Sequence, residues 1–436
     1  MDSPGVVGVA MHALATRLFP IARSITGNGL RETLRIIGEN IPLTIHELPS
    51  GSKAFDWTVP QEWNIRDAYI LDDNGQRIVD FRANNLHVVG YSVPVDATLT
   101  LAELQEHLHS IESQPTAIPY VTSYYEPRWG FCLSHAQRQG LRDGLYRVVI
   151  DSELKDGSLT YGELIIPGAS NEEVFLSTYV CHPSMANNEL SGPVVVTWLA
   201  KWIASEPRRY TYRLVFAPET IGPLVYLAQH LDELRTNVVA GFNVTCIGDE
   251  RAYSYLPSRY GSTLADRVAL NVLGSSHPDF VRYTFLDRGS DERQYCSPGV
   301  DLPMVSLMRS RYHAYPEYHT SLDDLTVVTP AGLEGGYSLM RDCLELLEIN
   351  RTYRATFVGE PNLGRRGLYP TLGTAESFKQ GRAMLDLLAY ADGTNDLITI
   401  SDIVGVPACE LDAIARTFMA HGLLAEVAAP PQHASG

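Results

Sequence analysis

The sequence predicts an α/β protein in which helices cover a mainly parallel sheet, with a β-rich insertion and a small C-terminal domain. Apolar strands alternate with helical segments up to about residue 347, which is typical of parallel sheets. Residues 48–135 instead carry short, aromatic-rich alternating stretches, and the composition shifts again after Pro361. A chain of 436 residues also exceeds one ordinary hydrophobic core, so two or three domains are expected.

The chain begins with two predicted helices, Val6 to Leu18 and Leu30 to Ile37, the second with apolar residues at three and four spacing. In the insertion, residues 67–71, 77–81 and 86–89 have the pattern of short strands, and Asp73-Asn-Gly75 is a hairpin signal. An insertion of this kind shapes substrate access as a lid or forms a dimer contact. The sequence leaves both alternatives open.

Strands at 146–150 and 159–166 are predicted to begin the α/β part, which ends with a helix at 335–347. Within it, four apolar strands each lead to polar residues of a catalytic type. A lone carboxylate after a strand is usually a helix cap, but active sites of open α/β sheets lie at such strand ends. The recurrence therefore predicts a site. The four strands and residues are 174–180 with His182, 213–218 with Glu219, 238–248 with Asp249, and 302–307 with Tyr318-His319.

The C-terminal segment has the element order of a winged helix: three short helices at 383–389, 399–404 and 407–418, then a strand at 422–427. From residue 360 onward, the chain contains five lysine or arginine residues and nine aspartate or glutamate residues. Phosphate neutralisation requires the opposite balance, so this module is predicted to serve interaction or oligomerisation and not DNA binding. The tail from Pro430 is predicted to be disordered.

Charge and composition exclude several classes of partner. A formal net charge of -17 argues against nucleic acid or an anionic membrane. The chain lacks an apolar run of the ~20 residues that a membrane span needs, and its start lacks a signal-like segment, so a cytoplasmic location is expected. The six cysteines show no Cys-x-x-Cys pairing and are predicted to be reduced, with Cys181 able to touch the site.

Four motifs together resemble the zinc aminopeptidase superfamily, which includes the co-catalytic bacterial leucyl aminopeptidases, and most closely its aminopeptidase-like domain proteins. The resemblance covers residues 1–47 and 136–355, leaving 48–135 as an insertion and 360–436 as a winged-helix-like domain. The motifs are His182, Asn188-Glu-Leu-Ser-Gly192, Pro218-Glu-Thr-Ile-Gly222 and Tyr318-His-Thr-Ser-Leu-Asp323.

The resemblance implies that His182 and His319 are metal ligands and that Glu219 is the general base. It also implies an acidic ligand after the strand that leads to Asp249, although the family position aligns better with Thr245. We predict Asp249 as that ligand, with Glu189 as the alternative.

This chain departs from the two-metal pattern at three carboxylates. Asn188 stands where the family has a bridging aspartate, Thr220 where it has a second glutamate, and Ser184 where an aspartate orients the first histidine. An amide binds divalent cations weakly and cannot neutralise two of them. The expected cofactor is therefore zinc, one per chain, held by two histidines and one carboxylate, with water in the open position.

The predicted substrate-binding residues lie mostly in the charge-dense loop 287–295. Asp291 is predicted to bind an ammonium group, and Arg288 and Arg293 a carboxylate, although any one of these arginines is more often part of a solvated ion-pair loop. Asn188 and Tyr318 complete the predicted set.

These features predict a zinc-dependent, aminopeptidase-type amide hydrolase. Its expected partner is a small peptide or an aminoacylated metabolite with a free amino group. The sequence is also compatible with a homo-oligomer. One alternative is a deacylase of a non-peptide amide. The alternative from another class is a metal-free or degenerate protein that binds a peptide or amino acid without cleaving it.

Overall fold

A computed structural model describes residues 5–368 and 375–427. They form two compact units, one of residues up to 266 with 280–340, the other of 267–279 with 341 onward. None of the helices within these residues is both long and apolar enough to cross a membrane. The α-helices described are α1 Val6–Leu18, α2 Asn28–Gly38, α3 Leu101–Gln105, α4 His135–Gln139, α5 Ser191–Ile203, α6 Ile221–Asn237, α7 Leu264–Ser276, α8 Glu292–Tyr295, α9 Pro330–Ile349, α10 Ala375–Tyr390, α11 Leu397–Val404 and α12 Ala408–Ala420.

The first unit is built on a sheet in which eight strands are described. Its four central strands run parallel, and antiparallel strands extend it on both sides. The prediction of a mostly parallel sheet covered by helices is confirmed. Across the sheet the order is β1 Thr44–Pro49, β10 Ser158–Ile166, β12 Thr211–Ala217, β11 Glu173–Tyr179, β13 Val238–Asn243, β16 Met304–Met308, β14 Ser254–Leu256 and β15 Val281–Arg282.

A separate antiparallel sheet forms the core of the insertion, in the order β5 Arg77–Asp80, β4 Glu62–Leu71, β9 Leu145–Lys155 and β6 Val95–Thr100. The assignment of Tyr146–Ile150 to the α/β part is therefore wrong, because β9 pairs with β4 and β6 along its length. The predicted strand at 86–89 is also wrong, since Asn85–His87 form a short 3-10 turn. Shorter strands are β2 Lys53–Ala54, β3 Trp57–Thr58, β7 Leu108–His109 and β8 Phe131–Cys132.

The second unit contains a winged helix, as predicted: α10, α11 and α12 with a sheet of β18 Asp392–Asp396, β17 Thr352–Ala355 and β19 Leu424–Val427. Because β17 is the middle strand of this sheet, the winged helix begins before residue 355 and not at 360. Asp396 caps α11 by accepting from the Thr399 backbone N–H at 3.0 Å. The predicted disordered tail from Pro430 lies outside the described residues.

One glycine sets how closely α5 approaches the sheet. A Cβ atom on Gly192 would lie 2.2 Å from the Val244 carbonyl oxygen and 2.5 Å from Thr178 Oγ1. Only a residue without a side chain permits this approach. The segment just before α5, Ala186–Leu190, forms a buried π-helical turn, a feature found often at functional sites. Gly192 and this turn together place residues 186–190 at the carboxyl ends of the parallel strands.

Candidate active site

The candidate site lies at the carboxyl ends of the central parallel strands, where open α/β sheets bind ligands. His182 follows β11 by three residues and Glu219 follows β12 by two. Five residues of this region other than glycine have a positive φ angle: Ser184, Thr220, Cys246, His313 and His319. Such conformations are strained and cluster where surrounding structure holds functional groups in place.

A buried carboxylate fixes the orientation of His182. The imidazole Nδ1 donates to Glu189 Oε2 at 2.8 Å, and Glu189 lies in the π-helical turn. Arg23, also buried, lies 3.4 Å from Glu189 Oε1 and donates to the His182 carbonyl oxygen at 3.0 Å. Burial lowers the pKa of His182, but Cys181 and Glu189 outweigh it and hold the pKa well above its usual value. This arrangement directs Nε2 toward Glu219.

Glu219 is held by its own loop and by Ser290. Its Oε2 lies 3.5 Å from His182 Nε2, and its Oε1 accepts from Ser290 Oγ at 2.8 Å. The next residue, Thr220, has φ 64° and ψ -67°, and the Ile221 N–H donates to the Glu219 carbonyl at 2.7 Å, which defines a strained γ-turn. Burial raises the pKa of Glu219, as a general base near neutral pH requires.

His319 brings a second imidazole to the same place. Its ring centre lies 5.5 Å from that of His182, and the Tyr318 ring stacks on it at 3.9 Å. Its Nε2 is buried and finds no hydrogen-bond partner among the described residues. Burial, together with the charge of His182, lowers the pKa of His319 to about 2, so the imidazole is neutral and keeps a free lone pair.

The insertion forms one wall of the site. The Tyr120 N–H donates to the His319 carbonyl oxygen at 2.9 Å, and the Ser321 N–H donates to the Ile118 carbonyl oxygen at 2.9 Å. The Tyr120 ring lies edge-on to both imidazoles, at 5.2 Å from His182 and 5.1 Å from His319. Of the two roles left open by the sequence, shaping the site therefore has direct structural support.

Two predicted binding residues present buried oxygens without partners in the described chain. Asn188 Nδ2 donates to the Tyr179 hydroxyl at 2.5 Å, and its Oδ1 is unsatisfied. Asp291 Oδ1 accepts from the Thr220 N–H at 2.8 Å, and its Oδ2 is unsatisfied. Buried polar atoms are normally hydrogen-bonded, so these two oxygens are candidate contacts for a bound ligand or ion.

The two predicted arginines do not form a fork. Arg293 donates to Thr220 Oγ1 at 3.0 Å and to the Ser290 carbonyl oxygen at 3.1 Å, so it braces the loop that carries Glu219. Arg288 is exposed and donates to the carbonyl oxygen of Phe285 at 3.1 Å. Arg293 therefore supports the Glu219 loop, whereas Arg288 contacts its own loop through Phe285.

Asp249 does not have the geometry of a metal ligand. Its Oδ1 accepts from the Arg251 N–H at 2.9 Å and from Ser310 Oγ at 2.8 Å, and its Oδ2 from the Ser310 N–H at 2.8 Å and Asn187 Nδ2 at 3.0 Å. Both oxygens are fully used, so this carboxylate braces three loops. Glu189, the alternative, accepts from His182 through Oε2, whereas its Oε1 lies 3.4 Å from Arg23 Nε and has no hydrogen-bond partner among the described residues.

Two sets of residues near His182 carry metal-ligand chemistry. Among described residues, one cluster of three or more His, Cys, Asp or Glu has all ligand atoms within 4.8 Å: Cys181, His182 and Glu189. The Arg23 cation beside Glu189 already neutralises that carboxylate. His182, His319 and Glu219 do not form such a cluster among the described residues, so a metal held by the two imidazoles would have to draw their nitrogens closer together. Two imidazoles on a tetrahedral zinc, with Zn–N bonds of about 2.0 Å, have ring centres about 5 Å apart, close to the observed separation from His319.

Comparison with solved structures defines the class of fold. A zinc aminopeptidase from Bacillus subtilis superposes with a TM-score of 0.55 at 11% identity, covering 78% of this chain and 94% of that chain. A peptidase M28 precursor from Shewanella amazonensis gives a TM-score of 0.53 at 13% identity, covering 79% and 97%. At this identity the likeness concerns the fold alone, which is that of the zinc aminopeptidases, as the sequence resemblance implied.

Closer comparisons give the family. Residues 12–350 match the family described as a domain of unknown function, DUF4910, and the chain belongs to it; residues 351–426 match a winged helix-turn-helix family. A Clostridium acetobutylicum protein, named for polysaccharide biosynthesis and an aminopeptidase-like domain, is 45% identical over 396 residues, covering 90% of this chain and 91% of its own. A crystal structure from that organism, provisionally described as a peptidase, is 43% identical with a TM-score of 0.92, covering 97% of both chains.

Sequence reasoning missed several residues of the site. Arg23, Tyr120 and Ser290 were not identified, and Glu189 was considered only as a metal ligand. The one available signal was the loss of the usual orienting carboxylate at Ser184, which demanded a substitute elsewhere. Nothing in the spacing of the motifs indicated which residue it would be.

Proposed function

We propose that this protein is a metal-dependent amide hydrolase of the aminopeptidase type. The observation that carries the proposal is the pairing of the buried His182 imidazole with the half-buried His319 imidazole, whose buried Nε2 is free, beside a half-buried glutamate whose pKa is raised. Imidazole nitrogens are common zinc ligands, and three protein ligands with an open position are usual in catalytic sites. The peptidase-type fold and the aminopeptidase-like relative support it further.

In this proposal His182 and His319 would hold one zinc, and Asn188, through Oδ1, would take the place of Asp249 as the third protein ligand. When bound, such a metal activates water and polarises a carbonyl group. Glu189 keeps the His182 imidazole oriented, with Nε2 turned to the site. Glu219 accepts the proton from the attacking water and passes it to the leaving nitrogen. Ser290 holds the Glu219 carboxylate in place through Oε1.

The proposed substrate is a small peptide or aminoacylated metabolite with a free amino group. Asp291 Oδ2 is buried without a partner in the described chain and is linked to the Glu219 loop through Thr220, so it offers an acceptor for an ammonium group near the reacting carbonyl. Charge-assisted hydrogen bonds of this kind are among the stronger ones. Tyr318, stacked on His319, forms the adjacent surface.

Two alternatives have specific support. The name of the Clostridium relative mentions polysaccharide biosynthesis, which favours an amide carried on a sugar over a peptide. The neutral residues Asn188, Thr220 and Thr245, at positions where the resembled family has carboxylates, favour a protein that binds without a metal. The first alternative changes the substrate and keeps the mechanism, whereas the second removes the mechanism.

Metal analysis tests the proposal first. The purified protein, after zinc addition and dialysis, should contain about one zinc per chain. His182→Ala and His319→Ala should both lose it, while His421→Ala, an exposed histidine of the winged helix, should keep it. Two zinc ions per chain would contradict the single-metal site, and none would favour the metal-free alternative.

Glu219→Gln tests whether Glu219 is a metal ligand or the general base. The variant should retain zinc and lose hydrolysis of aminoacyl anilides and N-acyl amino sugars, whichever class the wild type cleaves. Loss of zinc would instead make Glu219 a ligand and overturn the assignment of Asn188. Asn188→Ala should weaken zinc binding without removing the folded state.

A further inference from the structure

The insertion contains a groove that the proposed hydrolysis does not use. It has a volume of about 590 Å³, within the range of about 300–1,000 Å³ that is typical of small-molecule sites. We define it as the tyrosine groove by three residues that line it, Tyr91, Tyr124 and Tyr125. Pro60 and Pro94 add further rigid apolar surface to its walls.

One lining residue of the groove, Tyr125, contacts a second exposed aromatic side chain, Trp57, which is beside the groove and not among the described lining residues. Tyr125 is 54% exposed and Trp57 is 39% exposed, and their rings lie 5.8 Å apart at an angle of 69°. Large aromatic rings left in water next to a concave surface mark interaction sites. Their faces suit a flat, partly apolar ligand that also carries polar groups.

The polar groups of the groove favour a neutral ligand. Gln61, Glu126 and Glu153 supply amide and carboxylate groups. No lysine or arginine is among the described residues that line the groove, which disfavours phosphates and other anions. The two carboxylates are already paired with cations on the rim, Glu126 with Arg128 at 3.1 Å and Glu153 with Lys155 at 2.9 Å, so a cationic ligand gains little.

The groove and the candidate active site share a wall. The Tyr124 hydroxyl is hydrogen-bonded to the Tyr120 hydroxyl at 2.6 Å, and Tyr120 contacts both imidazoles. Tyr124 packs edge-on against Tyr91 at 5.3 Å, and the Tyr91 hydroxyl donates to the Gln61 carbonyl oxygen at 3.1 Å. These contacts hold the aromatic wall in one position before any ligand arrives, which lowers the cost of binding.

We propose that the tyrosine groove binds a neutral saccharide, namely the sugar portion of a substrate whose amide bond is hydrolysed at the adjacent site. The C–H faces of the sugar rings pack on Trp57 and Tyr125, and the hydroxyl groups donate to Gln61, Glu126 and Glu153. The link to hydrolysis rests on the proposed function with its sugar-amide alternative as the substrate. Saccharide binding by the groove does not.

The test is calorimetric titration of the full chain with three neutral trisaccharides: chitotriose, cellotriose and maltotriose. At least one should bind, and Trp57→Ala and Tyr125→Ala should each weaken it roughly tenfold, as the loss of one stacking surface implies. Both residues are exposed, so the variants should fold as the wild type does. Tyr260→Ala removes another tyrosine that is 72% exposed and should bind normally.

Glu219→Gln distinguishes the two proposals. It should abolish hydrolysis and leave trisaccharide binding unchanged, so a failure of the hydrolase proposal leaves the groove intact. Absence of binding by all three trisaccharides, or binding unaffected by Trp57→Ala and Tyr125→Ala, would overturn the saccharide proposal. A proline-rich peptide that binds in their place, and is lost in both variants, would also overturn it and make the groove a peptide site.

Discussion

The buried ion pair of Arg23 and Glu189 gives the sharpest stability prediction. Both side chains are fully buried, and the guanidinium also donates to the carbonyl oxygens of Leu18 at 2.6 Å and His182 at 3.0 Å. Arg23→Met fills the volume but leaves the carboxylate without its cation and two carbonyl groups without donors. Breaking a buried pair costs about 3–5 kcal/mol, a large part of the 5–15 kcal/mol typical of a folded domain.

The assay is urea unfolding of the wild type, Arg23→Met, Glu189→Gln and the double variant. The double variant contains no buried unpaired charge. Its loss of unfolding free energy should therefore be smaller than the sum of the two single losses, by about 1–3 kcal/mol. Arg17→Met, at an exposed arginine of the same region, should have no measurable effect. A loss below about 1 kcal/mol in Arg23→Met, or additive single effects, would refute the reasoning.

Four further predictions test other parts of the molecule. Glu189→Gln should weaken zinc binding about 10–100-fold in a chelator competition, because the imidazole loses its charged partner. Gly192→Ala should cost about 1–3 kcal/mol in urea unfolding, since its methyl group would meet a carbonyl oxygen at 2.2 Å. Thr220→Gly should stabilise the fold by up to about 1 kcal/mol and lower hydrolysis, because the γ-turn loses its constraint. Arg267 and Asn350 hold the pKa of Asp396 at about 2 against the usual 3.8 despite its burial, so Asp396→Asn should cost about 2 kcal/mol at neutral pH. Because the folded-state pKa is depressed, the difference in unfolding free energy between the wild type and Asp396→Asn should be largest above about pH 4. In acid unfolding curves it should decrease as the pH drops toward 2.

The winged helix gives a prediction about partners. Its excess of acidic residues should prevent binding to duplex DNA, and a gel-shift assay at moderate salt should show no complex. A stable complex that weakens steeply with salt would contradict this and make the domain a regulator.

The sequence predicted the elements that carry strong periodicity. The helices α1 and α2, the parallel strands and the winged helix all appear close to their expected positions. The misassigned strand shows the limit of this reasoning. Residues 146–150 alternate between buried and exposed, which marks a strand but not the sheet to which it belongs. Sheet membership depends on pairing with β4, which lies more than seventy residues earlier in the chain.

The site shows the same limit at the level of single residues. His182, Glu219 and His319 could be recognised because each belongs to a motif at a strand end or a late loop. Arg23 could not, because its contact with His182 joins residues 159 positions apart. Asp249 as a ligand stays a prediction, which the hydrogen bonds to both of its oxygens disfavour, because a carboxylate after a strand looks the same in sequence whether it binds a metal or braces loops.

The charges around the two imidazoles bear on how many metal ions the site can hold. Glu189 is neutralised by Arg23, and Asp249 is saturated with hydrogen-bond donors, so neither contributes free negative charge. Glu219 and Asp291 remain, both with pKa values raised by burial, and Asp291 further by the neighbouring Glu219. Such groups become fully ionised only when positive charge is near. Two carboxylates balance one divalent cation and not two, which supports the proposed single-zinc site over a two-metal site.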